Sequence, residues 1–326
     1  MVRPGSDSAM NVSAPAVKQK AIEIGFSKVG ISRAETGLEK ERLQEWLAQG
    51  YHADMEWMAD PRRQDIKAFM PEVKSVISVA LNYYTPHQHD PSPDRAKISR
   101  YGWGRDYHKV LGKMLKQLCR WLEAQGEGII TRWCVDTAPI TEKAWAERAG
   151  IGWIGKHSNL ITREYGSWVF LGEVLTNLEL ESDRPHPDHC GKCQLCIQAC
   201  PTQAIVQPYI VDANRCIAYH TIENRQPQIP PAIAQNMHNW VAGCDICQEV
   251  CPYNRRPITS LIPDFQPYPE NLSPQLTDLI EITDEQWDCQ FRGSALRRIK
   301  PAQLRRNAKT LACQSNSEKS PCLRKN

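Results

Sequence analysis

Two periods of apolar and polar residues run through the first half of the chain. "LEKERLQEWLAQG" (38–50) and "DYHKVLGKMLKQLCRWLEAQG" (106–126) place apolar side chains at helical steps with charges between them, and each stops at a glycine. Residues 14–25 read as a further helix, and "TEKAWAERAG" (141–150) as one opening on Thr141. "VKSVISVALNYY" (73–84) is β-branched and continuously apolar, which predicts a buried strand. "KVGISRA" (28–34) and "GIITRWCVD" (128–136) predict two more, and "SNLITREYGSWVFLGEVLTNLELE" (158–181) a pair joined around Gly166. Helices and strands mix to about residue 180, so the fold class expected is α+β.

The texture changes at "ESDRPHPDHC". The expected division is a leader at 1–13, a catalytic domain at 14–180, a metal-held domain at 181–257, and a proline-punctuated linker with a basic helical segment at 258–326. The leader is read as disordered, with Met10 an alternative start. No apolar run approaches the roughly eighteen residues of a membrane span, and the N-terminus lacks the apolar core of a secretory signal. A cytoplasmic protein with no membrane partner is expected.

Charge alters the picture at one end. The net charge is +3, yet Cys289 to the C-terminus holds ten Lys or Arg against one acid, Glu318. Arg297, Arg298, Lys300, Arg305, Arg306 and Lys309 form its densest part. A basic tail on an acidic body suits a polyanion. Charge alone slightly favours a solvated helix face.

The sharpest chemistry lies in the cysteines. Cys190-x2-Cys193-x2-Cys196-x3-Cys200-Pro201 is the bacterial ferredoxin run, whose fourth cysteine ligates the other of two clusters. Cys244-x2-Cys247-x3-Cys251-Pro252 is its partner, one cysteine short, and Cys216 completes eight. Cluster one then takes Cys190, Cys193, Cys196 and Cys251, and cluster two Cys200, Cys216, Cys244 and Cys247. Zinc sites instead pair their ligands across a dozen or more residues. Of the other five cysteines, Cys119 and Cys134 read as small buried hydrophobes, while Cys289, Cys313 and Cys322 show no partner spacing.

Such clusters carry electrons, so the reaction belongs to the front domain. "GIGWIG" (150–155) matches a dinucleotide-binding glycine pattern in letters, but a helix precedes it and "KHSNLI" follows, so a Rossmann site is rejected. "DYHKVLG" is one residue too long for the Asp-x-His-x-x-Gly pattern of corrinoid-ligating histidines, and His108 reads as an exposed helical residue. Asp136 follows a strand and precedes a turn at Pro139. A half-buried carboxyl there suits a proton donor of raised pKa, while spacing alone favours a turn-stabilising aspartate.

"DPRRQDIKAFMPEVKSVISVALNYY", "RYGWGRDYHKVL", "VDTAPITEKAWAERAGIGWIGKHSNLI", "FLGEVLTNLEL", "CGKCQLCIQACPTQAI", "RCIAYHTIE" and "GCDICQEVCPYN" together resemble the epoxyqueuosine reductases, in family order over residues 14 to 310. The resemblance implies a cobalamin-dependent enzyme with two 4Fe-4S clusters that reduces epoxyqueuosine to queuosine at the wobble position of tRNAs for Tyr, His, Asn and Asp. It implies a nitroreductase- and flavin-reductase-like front domain. Cobalamin would attack or reduce the epoxide, and the clusters would deliver electrons singly. Asp136 would donate the proton, and Arg63, Ser99, Asp136, Lys156, His157 and Asn159 would contact the corrin. Arg297, Arg298, Lys300, Arg305 and Arg306 would hold the anticodon arm. A monomer and an unidentified low-potential electron donor are expected. Two departures stand out. The family's helical-repeat extension is at most partial here, and its "SYLTIE" reads "AYHTIE", leaving the role of His220 open.

Two other readings compete. A small-molecule corrinoid reductase, dehalogenase-like, would bind corrinoid but not tRNA. A non-catalytic electron-transfer protein would bind clusters without corrinoid.

Overall fold

Ser75–Asn82, buried at all eight positions, is the spine of a four-stranded antiparallel sheet. In this computed structural model, which describes residues 12–317, the sheet runs β1 (Lys28–Arg33), β2 (Ser75–Asn82), β7 (Val169–Thr176), β4 (Thr131–Cys134). Side chains alternate across a strand. Ile77, Val79 and Leu81 therefore share one core with α1 (Ala14–Ile24) and the helix Tyr107–Glu123. Val76 joins Phe69 and Trp145 on the opposite face, and Ala80 packs there with Ala146 of the helix Glu142–Arg148. Burial on both faces is why the strand reads as continuously apolar.

The expected helices and front-domain strands form, with ends moved by a few residues. Ser13, assigned to the leader, instead caps α1, its hydroxyl accepting from the Ala16 N–H. Residues 1–11, with Met10, and 318–326, with Cys322, lie outside the described residues. The two strands around Gly166 belong to different sheets. β6 (Leu160–Ile161) pairs with β5 (Trp153–Ile154), whereas β7 enters the large sheet. "GIGWIG" thus leads into a short hairpin and opens no helix.

The back of the molecule interleaves with the front. β3 (Lys97–Ile98) pairs in parallel with β10 (Trp240–Ala242), and Ile98 and Trp103 share a core with Trp240, Leu279 and Leu304. A small hairpin, β8 (Ile205–Gln207) with β9 (Ile210–Val211), follows the first cysteine run. The segment read as a linker packs inward: Phe265 lies in the front core, and Asn82 Nδ2 donates to the Ile258 carbonyl at 2.8 Å. The final helix, Pro301–Ser317, buries Leu304, Ala308 and Leu311 along one stripe. Its buried Asn307 donates to the carbonyls of Thr221 (2.8 Å) and Val241 (2.9 Å), pinning the helix beside β10.

Candidate active site and cluster sites

The loop after β4 turns unusually tightly. The Thr137 N–H donates to the Val135 carbonyl at 2.5 Å across Asp136, which is held at φ +51°. A second three-residue turn closes across Pro139, Ile140 N–H to Ala138 carbonyl, 2.8 Å. The Asp136 turn is the rare form, whose positive φ costs a non-glycine residue energy, whereas proline's fixed negative φ makes the second turn the common inverse form. The Glu142 carboxylate accepts the Asp136 N–H and steadies the loop. The sheet is antiparallel, so Asp136 owes its position to this turn and not to a parallel strand's carboxyl end.

His108 meets the loop from the first turn of its helix. Asp106 is the N-cap, its Oδ1 accepting from the His108 N–H at 3.0 Å and lying 2.7 Å from the ring Nδ1. The opposite nitrogen, Nε2, lies 3.1 Å from Asp136 Oδ2. Burial works against a charged imidazole, but hydrogen bonds to Asp106 and Asp136 outweigh it and raise His108 to about 9. Burial likewise opposes ionisation of Asp136, yet the His108 hydrogen bond and charge prevail and hold its carboxyl below the usual range. This corrects two expectations. Asp136 has a depressed pKa, not a raised one, and His108 is partly buried and held between two carboxylates, Asp106 and Asp136, instead of standing free in solvent. Among the carboxyls touching this loop the raised one is Glu142, pushed to about 8 by burial and by the charge of Asp136.

A cavity of about 340 Å³ opens nearby. Ser99, His157 and Asn159 line it, together with all four cysteines assigned to cluster two, Cys200, Cys216, Cys244 and Cys247. Ile205, Ile217 and Ile246 supply apolar wall, and Tyr101 and Lys143 polar rim. Ser99 Oγ donates to buried Asp245 at 2.5 Å. Gly243 has φ +72°, and a Cβ there would lie 2.5 Å from Ser99 Cβ, so only glycine fits. The ring of His157 is buried with Nε2 unpartnered, and burial lowers its pKa to about 4.

The turn after β5 serves both cysteine groups. His157 and Asn159 face the cavity, whereas Lys156 Nζ donates to the carbonyls of Gly191 (2.6 Å) and Cys193 (2.8 Å). Lys156 therefore anchors the first cysteine loop and is not among the cavity's lining residues. Trp153 packs with Cys251 and Cys190. Burial raises the Cys251 thiol, with Cys190, Cys196 and Cys193 close enough to oppose its ionisation, and Cys247 is raised likewise, with Cys216 and Cys200 beside it.

Arg63 is absent from the cavity lining. Its Nη1 donates to the Ile140 carbonyl at 3.1 Å, and its guanidinium stacks on Trp57, bracing the Asp136 loop from behind. His220 is internal: Nε2 donates to the Asn214 carbonyl at 2.8 Å, and Nδ1 accepts from Asn224 Nδ2 at 3.0 Å.

The basic segment is less free than its composition suggests. Arg298 forks onto Glu223 at 2.6 Å, Arg297 pairs with Asp288 at 2.7 Å and Arg305 with Asp284 at 2.8 Å. Arg306 donates to the carbonyls of Asn224 (2.9 Å) and His220 (2.7 Å). Lys300 and Lys309 are exposed. Spacing marks none of Glu142, Lys143 or Tyr101, and it places His108 in solvent. An acid two residues before a histidine at a helix start was the one available signal.

Residues 63–137 match the family described as epoxyqueuosine reductase QueG, DUF1730, and residues 189–254 match a 4Fe-4S double cluster binding domain. An epoxyqueuosine reductase of Synechocystis sp. is 60% identical over 279 residues, covering 85% of this chain and 96% of the relative. The chain belongs to the epoxyqueuosine reductase family. Another epoxyqueuosine reductase, from Gloeobacter violaceus, is 54% identical over 92% of this chain and 96% of its own. A crystal structure of an epoxyqueuosine reductase with an epoxyqueuosine-modified tRNA-Tyr stem loop superposes with a TM-score of 0.85 at 32% identity, covering 92% of this chain and 80% of that one. A Bacillus subtilis epoxyqueuosine reductase, TM-score 0.83 at 32% identity over 92% of this chain and 81% of its own, was captured with its catalytic aspartate loop swung out of the active site. No helix among the described residues is long and apolar enough to cross a membrane.

Proposed function

We propose that this protein reduces epoxyqueuosine to queuosine at the wobble position of tRNA in the cytoplasm, with Asp136 delivering a proton to the departing epoxide oxygen. The observation that carries the reading is the shared cavity, in which Ser99, His157 and Asn159 meet the four cysteines of cluster two. Cys190, Cys193, Cys196 and Cys251 hold cluster one, and Cys200, Cys216, Cys244 and Cys247 hold cluster two.

The cavity's residues fit a corrinoid. Apolar walls suit the macrocycle, and Ser99, Asn159 and the unpartnered His157 Nε2 suit its amide side chains. Bound cobalamin would supply the strong reductant needed to cleave an epoxide C–O bond. This chain's residues do the rest. Asp245 fixes the Ser99 hydroxyl, the β5–β6 turn holds His157 and Asn159 against cluster two, and Arg63 and Glu142 brace the loop that presents Asp136. Epoxide-to-alkene reduction takes two electrons and two protons and releases water. Cluster two, whose cysteines line the cavity, with cluster one behind it, suits single-electron delivery from a low-potential donor, with the protein acting as a monomer.

Lys300 and Lys309 are the exposed cations best suited to tRNA phosphates. Arg297, Arg298, Arg305 and Arg306 would have to exchange carboxylate or carbonyl partners to join them. The reading is tested by expressing the chain in a bacterium lacking epoxyqueuosine reductase. Its tRNA should regain queuosine, and continued accumulation of epoxyqueuosine with protein present would contradict it.

A further inference from the structure

We propose that His108 is the proton reservoir of the reaction: it stores the proton that Asp136 hands to the departing oxygen, and Asp106 holds it in register. The proposal rests on the reading of Asp136 as the proton-delivering group. A carboxylate paired with a cation is ionised at rest and has no proton to give.

The geometry supplies the missing proton. The imidazole spans two carboxylates, Nδ1 at 2.7 Å from Asp106 and Nε2 at 3.1 Å from Asp136, so both ring nitrogens have an acceptor in the doubly protonated form. The ring is clamped. It stacks on Tyr107 (centroids 4.1 Å apart), and Tyr107 stacks on Phe170 of β7 (4.2 Å, 6° between planes). Asp106 is itself fixed as the N-cap. Around Asp136 the other charged or titratable groups include Tyr107, Tyr101, Arg298, Arg63, Glu142 and Lys143, and Lys109 lies near Asp106. His108, unlike these, joins the Asp136 carboxylate through a ring nitrogen, a group able to release and regain a proton. The raised His108 pKa agrees with that role.

The transfer balances. The His108 Nε2–H bond breaks as Asp136 Oδ2–H forms, and that bond breaks as the O–H of the opened epoxide forms. Asp136 returns to a carboxylate, and water reprotonates the partly exposed imidazole. No electron moves in these steps, and one of the two protons per turnover is accounted for. An alkoxide is a far stronger base than imidazole, so the net transfer is downhill although a protonated Asp136 never accumulates.

The test uses the full chain carrying both clusters and cobalamin, with His108→Gln, His108→Asn, Asp106→Asn and Asp136→Asn. Histidine nitrogen NMR, with His108 identified by its loss in the variants, should place its titration near pH 9, moving down in Asp106→Asn and Asp136→Asn. Single-turnover rates should fall above about pH 9 in the wild type. In either His108 variant with full iron content they should be on the order of a hundredfold lower, without that alkaline limb. A His108 titrating at or below the ordinary histidine value, or a variant with wild-type rate and the same limb, overturns the proposal. If Asp136→Asn is inactive while the His108 variants are normal, the reservoir fails and the Asp136 reading stands. If all are normal, the Asp136 reading fails too.

Discussion

His108 Nε2 lies 3.1 Å from Asp136 Oδ2, joining the first turn of the long front-domain helix to the strained loop after β4. The pair makes the loop's position electrostatic as well as steric. Neutralising either partner removes the attraction opposing the strain at Asp136.

Asp136→Asn should retain both clusters and bind cobalamin while losing about a hundred- to ten-thousandfold in turnover, the usual worth of general acid catalysis. Iron content, corrinoid absorbance and single-turnover rates check this together. Near-normal turnover would reduce Asp136 to a turn residue.

The same pair predicts a pH dependence of stability. His108 is raised from 6.5 to about 9 in the folded chain, so its stabilising contribution is complete below 6.5 and disappears as pH rises through 9. Wild type should therefore exceed His108→Gln in melting temperature at pH 6, with the gap closing by about pH 9.5. Glu142, raised from 4.5 to about 8, acts in the same direction between those values, and is present in both proteins. A gap that widens with pH would contradict the assignment.

Legibility followed locality. Amphipathic periods gave the helices, and β-branched runs gave β1, β2 and β7, because those signals are short-range. The cysteine run marked a double-cluster domain because spacing itself is the chemistry there. The site residues were harder. Asp136 was visible as an acid after a strand, but its depressed pKa depends on His108, 28 residues away, which sequence spacing does not bring together. Lys156 and His157 are adjacent yet serve different cysteine groups, because the turn after β5 divides them. The ion pairs of the basic tail were hidden for a third reason. Its arginines look like a charge comb only until Glu223, Asp284 and Asp288 fold against them.

Cluster assignment predicts about eight irons per chain after anaerobic reconstitution. Cys247→Ala should damage cluster two and spare cluster one, halving the iron. Four irons in the wild type, or stoichiometric zinc, would contradict the partition.

Lys300 and Lys309 are exposed, whereas Arg305 and Arg306 are tied into the fold. Lys300→Gln with Lys309→Gln should weaken tRNA binding and flatten its salt dependence, by roughly 0.7 in log–log slope for each single-stranded phosphate no longer neutralised. Melting temperature should not change. Arg306→Gln should lower it. Superimposable tRNA binding curves for the double-lysine variant would remove these residues from the interface.

Asn307→Ala should destabilise the junction between the final helix and the cluster domain. It strips hydrogen bonds from two buried carbonyls, Thr221 and Val241, each worth about 1–3 kcal/mol when left unsatisfied. Denaturant titration should show the loss, with turnover per folded molecule retained. An unchanged midpoint would mean the helix is held by its apolar stripe alone.

The most direct measurement is mass analysis of nucleosides from epoxyqueuosine-containing tRNA incubated with purified, reconstituted protein, cobalamin and a strong reductant. The account predicts loss of epoxyqueuosine with matching gain of queuosine, abolished when cobalamin or reductant is omitted. Unchanged epoxyqueuosine from protein holding eight irons and bound cobalamin would contradict it.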